Sequence, residues 1–152
     1  MQDPLLKDSL EALINDARNN GIVCMVCNGT STADWNEVIE LSQKHKEIIP
    51  SIGLHPWSIK ESDDNWYNYF KQTVDKNRCL VGEIGLDSKI ETDFEQQKEV
   101  FLKQLRVAIQ YDLPVSLHCR KAFSPLIDLI KSVGFPITVT LYVLIRLEKS
   151  NV

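Results

Sequence analysis

Five short apolar segments recur along the chain with helix-patterned sequence between them: IVCMVC (22–27), IIPSIGL (48–54), CLVGEIGL (79–86), LPVSLH (113–118) and ITVTLYVLI (137–145). Such runs are apolar on both faces, as strands must be when helices cover them. The intervening stretches carry the helical period. Leu10, Leu13, Ile14 and Ala17 fall at i, i+3, i+4 and i+7 within 8–20, and Gly21 follows as a stop. Thr32 is placed to cap a helix bearing Trp35, Val38, Ile39 and Ser42 on one side. A weaker, aromatic-rich helix is expected near 62–76. Thr92-Asp93-Phe94-Glu95 has capping-box spacing, and Phe101, Leu105, Ala108 and Ile109 form the stripe behind it. A last helix spans 123–133 and is closed by Gly134. Strands and helices alternating every ~25–35 residues predict βαβ units and a parallel sheet. The class is α/β; periodicity leaves open whether the sheet stays flat or curls into a barrel.

The 152 residues suit one domain, and the formal net charge of -4 offers no basic face for phosphate backbones. A nucleic-acid substrate stays compatible with that balance, because a site that binds cations is acidic in its own sequence. The first twenty residues are rich in acids and amides and read as neither a signal peptide nor a membrane span. Cys24, Cys27, Cys79 and Cys119 lie in or beside apolar stretches, which suits buried free thiols in a reducing cytosol. Cys24 and Cys27 have CxxC spacing, but a strand would point them to opposite faces, so the pair is read as packed thiols.

Polar residues at or near the carboxyl ends of three successive strands carry the functional reading: His55 in SIGLHPW, Glu83 and Asp87 in VGEIGLD, and His118 in SLHCR. Loops at the carboxyl ends of parallel strands are where α/β folds build sites. Two imidazoles and a carboxylate there suit a divalent cation. Glu83 argues most strongly, because a carboxylate in a packed strand needs a cation, hydrogen-bond donors or a raised pKa. Asp87 is also placed to cap the following turn, and His55 alone would pass for a loop residue. His45, in QKHKE, reads as solvent-facing, and Trp35, Trp66 and Tyr69 as packing residues.

SIGLHPW, VGEIGLD, the helix containing QQKEVFLKQLRVA, and LPVSLHCRKA resemble, in order and spacing, the TatD family of metal-dependent deoxyribonucleases from about Leu6 to Leu141. The resemblance implies a (β/α) TIM-barrel fold of the amidohydrolase type. It also implies a 3'-5' exonuclease that hydrolyses DNA phosphodiesters in the cytoplasm with Mg²⁺, Mn²⁺ or Zn²⁺. Glu83 matches the family's metal-bridging, catalytic glutamate, His118 a metal-binding histidine, and His55 a histidine associated with substrate. Arg120 follows as a candidate contact to substrate phosphate.

The sequence also departs from that pattern. The family's first strand carries His-x-His, which occurs nowhere here, and Tyr142 stands where a further histidine is expected. Of a His, His, Glu, His, His, Asp ligand set, Glu83 and His118 remain. The expectation is an incomplete barrel over 1–141, lacking the first and last strands, with a divergent tail over 142–152. Weak metal binding, impaired activity and self-association through exposed strand edges follow as expectations. A non-catalytic interaction module, and a metal-dependent hydrolase of another ester or amide, are the competing readings.

Overall fold

The computed structural model describes residues 9–135 and 141–144. Five parallel strands pair in chain order: β1 (Met25–Gly29), β2 (Ile48–Ile52), β3 (Leu80–Asp87), β4 (Val115–Arg120) and β5 (Leu141–Leu144). Each crossover carries a helix where the sequence describes one: α2 (Trp35–Lys44), α3 (Trp66–Asn77), α4 (Phe94–Tyr111) and α5 (Phe123–Ser132), with α1 (Leu10–Asn19) preceding β1. A doubly wound sheet reverses its strand order at a switch point. The unbroken order β1 to β5 has no such reversal. Right-handed crossovers then place every helix on one face, the winding of a (β/α) barrel.

The core lies between that helical layer and the sheet. Ile52, Val81, Ile84, Leu86, Val115 and Leu117 from the strands, with Leu54 just past β2, are buried with Phe70, Phe101, Leu105 and Leu126 from the helices. Trp35 and Trp66 are buried packing residues as expected. Alternation breaks once: Val81 and Ile84 both join the core, and the β3–β4 register shifts between them. That extra residue lets β3 present Glu83 on the face opposite the helices.

Several local expectations are corrected. The first strand begins at Met25, three residues late, because its pairing with Ile48–Ile52 sets its register. Ile22 and Val23 are left outside, Val23 at 83% exposure, and Cys24 is exposed with them, so Cys24 and Cys27 are not both packed thiols. Cys27 and Cys79 are buried, and Cys119 is half-buried. The residue at the α2 cap is Asp34 rather than Thr32, its carboxylate accepting from Thr30 N, Thr30 Oγ1 and Ser31 N. At α4 the cap is Asp93, accepting from Gln96 N, rather than Thr92. A 3-10 helix over Pro56–Glu61, not anticipated, follows β2 and carries Trp57. The last apolar run forms β5 at Leu141–Leu144; the remainder of that run and of the tail lies outside the described residues.

Candidate metal centre

His55 follows the carboxyl end of β2, Glu83 lies midway along β3 and His118 in the second half of β4, and the three meet in space. One potential ligand atom from each lies within 4.8 Å of those from the other two. Each position has a local cause. At Leu54, Gln104 of α4 accepts from the backbone N–H (2.7 Å) and donates to the carbonyl (3.1 Å). His55 N donates to Thr30 O at 2.9 Å, so the residue is fixed on both sides. Pro56 then starts the 3-10 helix, and the Trp57 backbone N–H donates to His55 Nδ1 at 3.2 Å. A ring that accepts at Nδ1 carries its neutral-state proton on Nε2.

The glycines of GEIGLD explain how the carboxylates reach His118. A Cβ at Gly82 would meet Ser116 Cβ at 2.5 Å, and one at Gly85 would collide with the His118 backbone carbonyl. Both have positive φ, so side chains are disfavoured there by conformation as well as by space. Without side chains at those positions β3 closes on β4. Gly85 then pairs with His118 and Asp87 with Arg120.

His118 sits between two carboxylates. Its Nδ1 lies 3.3 Å from Glu83 Oε1 and its Nε2 lies 3.2 Å from Asp87 Oδ2. Burial alone would lower the imidazole pKa, but hydrogen bonds and charge from Glu83 and Asp87 raise it overall. His55 differs. Burial and the neighbouring His118 charge push its pKa down to about 4, against a smaller upward pull from Glu83 and Asp87. Asp87 has 0% exposure. Its burial opposes ionisation, yet hydrogen bonds from the Trp57 indole, Lys89 N and His118 hold its carboxyl below the usual value.

These donors fit a divalent cation. With Nε2–H given to Asp87, His118 keeps a lone pair at Nδ1 on the side of Glu83, the carboxylate–histidine arrangement that orients metal ligands. Imidazole and carboxylate together suit Zn²⁺ or Mn²⁺. Arg120 ends β4 half-buried outside the three-residue cluster, its carbonyl accepting from Ser88 N at 2.9 Å. Asp87 was legible as a turn cap, and its Oδ1 does accept from Lys89 N at 2.8 Å. Its second oxygen takes it into the site. Two further features were missed by the sequence reading. Trp57 Nε1 donates to Asp87 Oδ2 at 2.9 Å, and Gln97 of α4 bonds both backbone groups of Asp87. A glutamine within the apolar stripe of α4 was the available signal for the second.

A parallel β/α sheet wound in one sense, with a histidine–carboxylate cluster on it, defines a barrel-type scaffold that carries a candidate metal centre. The chain belongs to the TatD-related DNase family, whose model matches residues 1–142. It is 29% identical over 132 residues to the uncharacterized metal-dependent hydrolase YjjV of Escherichia coli, covering 84% of this chain and 51% of that protein. It is 31% identical over 115 residues to the 3'-5' ssDNA/RNA exonuclease TatD of Pantoea ananatis, covering 74% and 44%. The crystal structure of YjjV superposes with a TM-score of 0.79 at 28% identity, over 85% of this chain and 51% of that one. A TatD-family hydrolase from Entamoeba histolytica gives 0.75 at 25% identity, over 84% and 46%. The chain thus spans about half the length of the relatives it matches, and its fold is an incomplete TIM-barrel type.

Proposed function

We propose that this chain carries part of the active site of a divalent-metal-dependent nuclease that removes nucleotides from DNA in the 3'-5' direction. The observation that carries the reading is the convergence of His55, Glu83 and His118 at the carboxyl rim. The exonuclease and deoxyribonuclease names of relatives support the substrate class. Glu83 and His118 hold the cation, with Asp87 fixing the His118 ring. A cation held there, Mg²⁺, Mn²⁺ or Zn²⁺, lowers the pKa of a water and offsets charge growing on phosphate oxygens. His55, neutral and protonated at Nε2, donates to a phosphate oxygen. Arg120 supplies a guanidinium to the same phosphate. With few protein ligands the cation is held weakly, and turnover is slower than in a site with the full set.

The four free cysteines support a reducing, cytoplasmic setting. Among the described residues β1 pairs on one side only, and exposed Val23 and Val26 support self-association there. Light scattering that finds a monomer at all concentrations would remove that part of the reading.

The test is hydrolysis of 3'-labelled single-stranded DNA with Mg²⁺ or Mn²⁺. Wild-type protein should release mononucleotides, and Glu83→Gln should slow release by roughly tenfold or more, since it alters a direct ligand. Equal rates for the two proteins would place any nuclease activity elsewhere.

A further inference from the structure

Among the described residues, Trp57 is the large aromatic side chain beside the cluster that faces solvent. It is 52% exposed, whereas Trp35 and Trp66 are buried. An exposed indole on a surface loop would ordinarily be free to sample rotamers. This one is held. Its Nε1–H donates at 2.9 Å to Asp87 Oδ2, the same oxygen that lies 3.2 Å from His118 Nε2. One buried carboxylate atom therefore fixes the indole relative to a candidate metal ligand. The six-residue 3-10 helix that carries Trp57 is capped by His55, and the two rings meet edge to face with centroids 4.8 Å apart. The indole also stands 68° to the His118 ring at 5.9 Å.

We infer that Trp57 is the base-contacting residue of this site, stacking on the nucleobase whose phosphate is held at the His55–Glu83–His118 cluster. The inference deepens the nuclease reading above and rests on it. The physical grounds are the combination of features. A flat apolar surface is left open to solvent, its orientation is fixed through a buried anchor, and it abuts both histidines. Stacking is tolerant of sequence because every base has a π-face, and one base on one aromatic ring gives about 5- to 150-fold in affinity. The contact would therefore favour nucleotides over bare phosphodiesters without choosing among bases. Trp57 is a binding residue in this account; Asp87, which touches no substrate, is its positioning residue.

The experiment compares two small probes that contain no phosphodiester to be cut: dTMP, and 2-deoxyribose 5-phosphate, which has no base. Affinities are measured in Mg²⁺ by calorimetry, and tryptophan emission is followed in parallel because Trp57 is the exposed fluorophore. Wild-type protein should bind dTMP about 5- to 150-fold more tightly than the sugar phosphate. Trp57→Ala should bring the two affinities together by weakening dTMP alone. Trp57→Phe, which keeps a ring but no N–H, should retain part of the difference. A wild-type protein that binds both probes equally, or a Trp57→Ala variant that keeps the preference, overturns the inference and leaves the nuclease reading standing. Failure of the wild type to bind either probe overturns both.

Discussion

His55 and His118 lie with ring centroids 4.3 Å apart, yet their surroundings move their proton affinities in opposite directions. His118 is flanked by two carboxylates, which overcome its burial. His55 is buried beside His118 and titrates at about 4. In the metal-free protein the unfolded chain therefore binds a proton at His55 below pH ~6.5, while the folded chain does so only near pH 4. The stability contributed by His55 is complete above its unfolded value and is lost as pH falls through that window, at about 1.4 kcal/mol per pH unit. His118 works in the other sense: its contribution is complete below its unfolded value and is lost as pH rises through its raised folded value. Urea unfolding in EDTA should show stability rising from pH 4.5 to 6.5. His55→Gln should flatten that rise, since the amide does not titrate. An unchanged slope in the variant would mean that the ring is charged in the folded state and cannot serve as the neutral donor proposed above.

At the level of elements, α4 is the part that sets the height of the rim. Gln97 and Gln104 are seven residues apart on its buried face, and each brackets one strand-end residue as a neighbouring strand would. Gln104 bonds Leu54 N and O, next to His55; Gln97 bonds Asp87 N and O. Gln104→Leu keeps the volume but leaves a buried N–H and a buried carbonyl without these partners. The expected loss is about 2–6 kcal/mol in denaturant titration, from ~1–3 kcal/mol for each of the two orphaned groups. Gln96→Leu, on the exposed side of the same helix, should stay within about 0.5 kcal/mol. Equal losses would show that the clamp carries no special weight. The contrast between these neighbours also marks how far the sequence could be read. The apolar period assigned every strand and α-helix its type, because Phe101, Leu105 and Ala108 repeat with the helix and Val115 and Leu117 with the strand. Glu83 and His118 were legible because a packed strand tolerates an ionisable group only where a cation or a hydrogen-bond partner meets it. Gln97 and Gln104 were not separated from surface glutamines, since an amide satisfied by backbone looks like an amide in water until the backbone is placed. Trp57 was hidden for a related reason: its partner Asp87 is 30 residues away, and a 3-10 turn leaves no periodic trace.

For the molecule as a whole, the candidate metal centre is also a fastening. Its ligands Glu83 and His118 come from β3 and β4, with His55 beside them just past β2, so the site is assembled only when three consecutive βα units have folded onto one another. A cation that binds the folded arrangement and not the unfolded chain must then stabilise the entire sheet by mass action. The gain is about 2.7 kcal/mol at a concentration one hundred times the dissociation constant. In a domain of this size that corresponds to an increase in Tm of roughly 5–10 °C. Because the site holds few protein ligands, the titration should extend to millimolar Mn²⁺ before it saturates, where a full ligand set would saturate far lower. Calorimetric scans against Mn²⁺ should therefore show a concentration-dependent rise in the wild type and a flat response in Glu83→Ala. A parallel rise in both proteins would assign the stabilisation to acidic groups elsewhere on the surface. No rise in either would mean that Glu83 and His118 are too few to retain the ion, and that the cluster needs further donors before it can hold a cation.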